Sequence, residues 1–202
     1  MKLSIPIFPL NGVIFFPNTN LPLNIFEKKY IDMVDFALTN NKIIGMIQTD
    51  VNKNLYKIGC MGRISALEKT NDGRYIINLE GRNYFHFIKE LPSNNKFRIA
   101  KIETKEDLEK NDMNFDRKKF NKKLLLNKYI SFINQTNPEI SYKFVNNIQS
   151  KILIKFIAMS CPFSTNDKQM LLETFNLNEL SEKLITLFDF YQHIEGHGES
   201  IN

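Results

Sequence analysis

Tryptophan is absent from the 202 residues, cysteine occurs twice and arginine five times. Two isolated thiols, Cys60 in a predicted strand and Cys161 after a predicted helix, are too few for a disulfide framework or a metal site and are expected to be buried. Arginine reads phosphates and base edges by bidentate geometry, so its scarcity weighs more than the formal charge of +5. Lysine supplies 22 of the 27 basic residues, a chain-wide bias rather than a basic module. Through Asp112 there are 16 basic and 13 acidic residues, and after it 11 and nine, which argues against a nucleic-acid partner. No apolar run has the length of a signal peptide or a membrane helix, so a cytoplasmic protein with no membrane partner is expected. No Gly-x-x-x-x-Gly-Lys-Ser/Thr occurs, so there is no phosphate-cradling loop, and no nucleotide or other cofactor is expected.

What is present is ordinary for a protein with a real core: 43% of residues are hydrophobic and 24% charged. Over residues 5–38 the periodicity switches once, at Phe26-Glu27. Before the switch Pro6, Pro9, Pro17 and Pro22 confine strands to edges or short pieces, because each removes a backbone donor. Around and after it Ile25, Tyr30, Met33, Val34 and Leu38 fall near helical spacing, with Glu27 and Asp32 on the wet side, so one amphipathic helix is expected there. Strands follow over residues 42–49, 56–70, 74–79, 83–88 and 97–102, and Asp72-Gly73 between two alternating runs predicts a hairpin. Residues 103–114 carry seven charges and little that packs, which places a boundary between a β-rich part, 1–108, and a helical part, 109–202.

In the helical part Leu126, Tyr129, Ile130 and Ile133 form one apolar face, and Ile152, Leu153, Phe156 and Ile157 another. Asn137-Pro138 restarts a helix. Ser164-Thr165-Asn166-Asp167 has the form of a capping box with Asp in place of Glu, ahead of Met170, Leu171 and Phe175. Leu180, Leu184, Leu187, Phe188 and Tyr191 share the last stripe, and the polar tail 195–202 is expected to fray.

Three ordered blocks carry a resemblance. The first is Phe8-Pro9-Leu10-Asn11, Phe15-Phe16-Pro17, Leu21-Pro22-Leu23 and Ile25-Phe26-Glu27, with Tyr30 and Met33-Val34 after it. The second runs from Ile58-Gly59-Cys60-Met61-Gly62-Arg63-Ile64 through Asp72-Gly73-Arg74-Tyr75 to Leu79-Glu80-Gly81-Arg82. The third is Asp167-Lys168-Gln169-Met170-Leu171-Leu172-Glu173. Together they span most of residues 3–190 and resemble the amino-terminal, substrate-recognition domain of Lon proteases, in particular its small stand-alone bacterial relatives. One departure is Asn18, where the family has Gly; Asn tolerates a left-handed backbone best after Gly, so the turn is expected to survive. The resemblance implies an α+β fold, with a PUA-like pseudo-barrel of about six strands and one helix followed by a carboxy-terminal helical bundle.

It also implies a non-catalytic module for protein quality control that binds exposed hydrophobic segments of unfolded or damaged polypeptides, with an ATP-dependent protease or a chaperone as candidate partner. The polypeptide-binding candidates are Phe15, Phe16, Leu21, Leu23 and Phe26; most apolar residues in such a segment are core, and an exposed remainder is what a recogniser of unfolded chains needs. An open sheet edge could in addition accept a peptide strand. No enzymatic activity is expected: the one adjacent Ser-Lys pair, Ser150-Lys151, lacks the surroundings of the Lon peptidase motif, and Cys60 and His86 carry no catalytic role in the resemblance. His193 and His197 lack a third ligand nearby. The rival reading is an RNA-binding PUA-like protein using the run Arg117-Lys118-Lys119-Phe120-Asn121-Lys122-Lys123. That run reads first as a solvated helix start, and Gly59-Cys60-Met61-Gly62, spaced like the Gly-x-x-Gly clamp of KH domains, reads first as glycines at a bulge.

Overall fold

The computed structural model describes residues 1–105, 114–136, 145 and 147–198. The chain divides into two compact units. Met1–Lys110 with Pro162–Glu173 form one, and Asn111–Cys161 with Thr174–Asn202 the other. Pro162–Glu173, read from sequence as part of the helical half, groups with the strands. The restart at Asn137-Pro138 lies outside the described residues, as do 106–113 of the charged stretch.

The first unit is built on six strands: β1 (Lys2–Pro9), β2 (Asn20–Ile25), β3 (Ile43–Ile47), β4 (Ile58–Lys69), β5 (Tyr75–Leu91) and β6 (Arg98–Thr104). Their order is β2-β5-β4-β3-β1-β6, and β5 pairs with β6 as well. Hydrogen-bonded pairing thus runs from β1 through β3, β4, β5 and β6 back to β1, with β2 added outside on the first half of β5. Ile5, Ile7, Ile47, Met61, Phe85, Ala100 and Ile102 form a core cluster from all five strands of this circuit. Alternation explains the choice: Tyr75, Ile77 and Leu79 are buried while Ile76 stays 44% exposed.

Two strands expected over 74–79 and 83–88 are one continuous strand, β5. Gly81, which suggests a break, instead lets the chain ahead of β2 press against the strand: a Cβ there would lie 2.0 Å from the Phe16 carbonyl oxygen. Asn18 N–H donates to Gly81 O at 3.0 Å, and Gly81 N–H donates to Thr19 O at 2.8 Å. Asn18 has φ +61°, the left-handed backbone expected of it. The expected hairpin is present, with Gly73 at φ +84° and Gly73 N–H donating to Thr70 O at 3.0 Å. Gly59 and Gly62 sit beside a register shift between Cys60 and Gly62, where a Cβ would strike Phe85 or Phe15. They are a bulge and a close approach, not a clamp.

Helix α1 (Lys28–Thr39) buries Met33, Val34 and Ala37. The second unit holds α2 (Lys122–Thr136), α3 (Ser150–Ser160) and α5 (Leu177–Gly198), and α4 (Thr165–Leu172) belongs to the first. Leu125, Tyr129, Phe132, Leu153, Ile157, Leu184 and Phe188 are buried in the helical unit, with the Phe132 and Phe188 rings 5.3 Å apart. Ile152 and Met170, expected on apolar faces, are 42% and 37% exposed. Each lies on the face of its helix opposite the buried residues, Leu153, Ile154, Ile157 and Ala158 on α3 and Lys168, Gln169, Leu171 and Leu172 on α4. Ser164 caps α4 as the sequence suggests: its Oγ accepts from the Asp167 N–H at 3.2 Å and donates to the Asp167 carboxylate at 2.6 Å.

Candidate functional site

The switch at Phe26-Glu27 places a groove between the end of β1, the edge strand β2 and the first turn of α1. A cavity of about 170 Å³ is lined by Phe8, Leu10, Leu23, Asn24, Ile25, Phe26, Glu27 and Tyr30. Its floor is aromatic: the Phe8 and Tyr30 rings lie 4.3 Å apart at 45°. Ile25 and Phe8 are buried, Leu23 and Leu10 half-buried, and Phe26 is 67% exposed at the mouth. An apolar cavity of about 150 Å³ holds a benzene ring, so the groove has room for one large aliphatic or aromatic side chain.

The rim is charged but locally paired. Lys29 Nζ lies 2.9 Å from Glu27 and 4.5 Å from the centroid of the Tyr30 ring, and Lys28 pairs with Asp32 one turn on. Those carboxylates hold both ammonium groups above the usual lysine range, Asp32 by accepting a hydrogen bond from Lys28 and Glu27 by accepting one from Lys29. The rim therefore offers no unbalanced charge of either sign, and selection at the groove falls to apolar contact.

The sheet edge beside the groove is guarded. Among the described residues β2 pairs with β5 alone. Because Gly81 N–H bonds to Thr19 O, alternation along an antiparallel ladder turns the backbones of Leu21, Leu23 and Ile25 toward β5 and those of Asn20, Pro22 and Asn24 outward. Pro22 thus removes the middle donor of the outward row, the usual device against strand addition.

A family model described as the ATP-dependent protease La (LON) substrate-binding domain matches residues 4–189. The chain belongs to that family. Among curated relatives, the Lon protease of Buchnera aphidicola subsp. Acyrthosiphon pisum is 30% identical over 201 residues, covering 93% of this chain and 25% of the relative. The Lon protease of Dictyoglomus thermophilum is 27% identical over 186 residues, covering 89% and 23%. The chain thus spans about a quarter of the length of the Lon proteases it matches. A crystal structure of a Lon N-terminal domain protein from Xanthomonas campestris superposes with a TM-score of 0.63 at 18% identity, covering 91% of this chain and 98% of that one. The N-terminal domain of the Mycobacterium avium complex Lon protease gives 0.60 at 12%, covering 93% and 98%. At such identities the likeness is one of fold, and the mixed six-stranded, helical architecture is that of Lon N-terminal domains.

Within this Lon substrate-binding domain the five sequence candidates separate. Phe15 and Phe16 are 1% and 0% exposed and belong to the core, where Phe15 lies against Gly62 and the Phe16 carbonyl against Gly81. Leu21 is half-buried on β2, whereas Leu23 and Phe26 line the groove. Sequence reasoning missed Phe8, Leu10, Ile25 and Tyr30 as its other apolar walls. The spacing that put Tyr30 on the helix's inner face was the available signal, but no local pattern tells that β1 ends beneath it.

The other sequence candidates stand apart from one another. Cys60 is buried and donates through Sγ to Met61 O at 3.5 Å; it pairs with Tyr84, while His86 pairs with Ile58. The basic run lies in a turn leading into α2, where the Phe115 and Phe120 rings pack on each other at 5.4 Å and Lys122 Nζ donates to Ile148 O. His193 is exposed on α5 with its ring against Asp189 O, and the side chain of His197 lies outside the described residues. Among the described residues no three His, Cys, Asp or Glu side chains are grouped to hold a metal ion, and no helix is long and apolar enough to cross a membrane.

Proposed function

We propose that this domain recognises exposed hydrophobic segments of unfolded or damaged polypeptides, and that the groove at the β2–α1 junction takes one large apolar side chain at a time. The observation that carries the reading is Phe26, a ring 67% exposed at the mouth of an otherwise apolar cavity. An exposed aromatic beside an apolar cavity supplies a contiguous apolar surface of the kind a partner side chain covers. Membership of a substrate-binding family supports a role in substrate recognition. Leu23 and Phe26 are the contact residues of this reading, Leu21 is a flanking one, and Phe15 and Phe16 act through the core beneath.

The same reading takes the closed circuit of strands as a PUA-like pseudo-barrel and the second unit as a helical bundle. It is non-catalytic and cytoplasmic, and an ATP-dependent protease or a chaperone is its partner. Pro22 favours side-chain capture over strand addition, which gives weak, broad binding with little sequence preference. The test is binding of a permanently unfolded protein, such as reduced and carboxymethylated lactalbumin, against the same protein folded. Preference for the unfolded form is expected, and equal or absent binding sinks the reading.

A further inference from the structure

Helix α4 arrives in the β-rich unit from far along the chain, and its seat is polar. Gln48 Nε2 donates to Gln169 Oε1 at 3.0 Å, Gln169 Nε2 donates to Ile58 O at 3.1 Å, and Tyr56 OH donates to Asn166 Oδ1 at 2.7 Å. Two further bonds reach the loop after β1. Lys168 Nζ donates to Gly12 O at 2.8 Å, and Thr165 Oγ1 donates to Asn11 Oδ1 at 3.2 Å. Lys168 is 7% exposed, a degree of burial that a charged side chain adopts only when its ammonium has partners.

The first residue of this loop is Leu10, a wall of the groove, whose N–H donates to Ile47 O at 3.0 Å. Gly12 follows at φ +70°, a reversal that lets its carbonyl reach the ammonium. The loop is therefore held at one end by β3, through Ile47, and at the other by α4.

We propose that Lys168, aided by Thr165, is a positioning residue for the groove: it fixes the Leu10-Asn11-Gly12 loop and so controls how firmly an apolar side chain is held. This inference rests on the polypeptide-binding reading for its functional half and on geometry alone for its structural half. A charge-assisted bond from a buried ammonium is among the stronger hydrogen bonds, so its loss should be felt at the loop before it is felt by the fold.

The experiment uses the full chain with Lys168→Met, Lys168→Arg and Thr165→Val, and reads amide hydrogen exchange at residues 10–12 together with the Kd for carboxymethylated lactalbumin. For Lys168→Met the circular dichroism should be unchanged. Exchange at Leu10, Asn11 and Gly12 should rise at least tenfold and Kd severalfold. Lys168→Arg should restore both values, and Thr165→Val should move both in the same direction by less. Should Lys168→Met fail to fold, the Thr165→Val result decides. Unchanged exchange in the loop overturns the positioning role. Faster exchange with unchanged Kd, in a protein whose affinity does fall on Phe26→Ala, overturns the coupling to the groove. If Phe26→Ala leaves affinity intact, the polypeptide-binding reading fails instead, and the exchange data still judge the loop.

Discussion

Phe26→Ala should weaken binding of an unfolded polypeptide about tenfold while leaving the fold as stable as before. A fully covered aromatic side chain buries about 150–250 Å². Phe26 keeps 67% of its surface exposed, so roughly 130 Å² remains for a bound chain to cover. At about 25 cal/mol/Å² complete coverage is worth ~3 kcal/mol. A bound chain that covers about half of this exposed area gives ~1.5 kcal/mol as the expected loss, about tenfold in Kd. Stability should change by no more than about 0.5 kcal/mol, because the side chain contributes little to native packing. The protein has no tryptophan. Tryptophan emission in a titration therefore reports only the unfolded probe. Val51→Ser is the comparator: Val51 is 95% exposed in the turn after β3, outside the groove lining. Wild-type affinity in Phe26→Ala refutes the assignment. Equal losses in the two variants refute it as well, since binding would then follow exposed apolar area wherever it lies.

Gly81→Ala should cost about 2–4 kcal/mol in urea unfolding of the β-rich unit, because the new methyl meets a carbonyl 2.0 Å away and relief breaks the bonds to Asn18 and Thr19. A cost below about 1 kcal/mol would show that the chain at Phe16 shifts freely. Pro22→Val restores the missing outward donor on β2, and self-association measured by sedimentation should rise; a strictly unchanged sedimentation profile would mean the edge is protected by something else. The Tyr75 hydroxyl donates to Asp35 at 3.0 Å, and this bond to a carboxylate, with burial, raises the phenol above its ordinary pKa of 10.0. Since the folded pKa is the higher one, its stabilisation is complete below pH 10 and is lost as pH climbs through the folded value. Tyr75→Phe should therefore lower stability at neutral pH and flatten the alkaline decline, as followed by thermal melts from pH 8 upward.

The strands, the helices and several of their ends could be read locally. Asn18 takes the left-handed turn, Asp72-Gly73 closes the hairpin and Ser164 caps α4, because each depends only on residues within a few positions. The continuity of β5 through Gly81 could not be read, since Gly81 is bonded there to Asn18 and Thr19, more than 60 positions away in sequence. Only part of the groove was legible for the same reason. Leu23 and Phe26 belong to the segment where the period switches, whereas Phe8 and Leu10 reach it by the pairing of β1 with β3 and β6. The seat of α4 was hidden most fully: Gln48, Lys168 and Gln169 look like surface residues in any window, and only their distant partners make burial tolerable.

That seat has a consequence during synthesis. A nascent chain that has reached Lys110 has made every strand but not the helix that fills the seat, which is complete only at Glu173, 63 residues later (173 − 110). At about 5–20 residues per second the ribosome takes roughly 3–13 s over that interval. For those seconds the carbonyls of Gly12 and Ile58 and the amide of Gln48 await their partners, so the emerging amino-terminal half is itself, briefly, an unfinished protein of the sort that quality control exists to find.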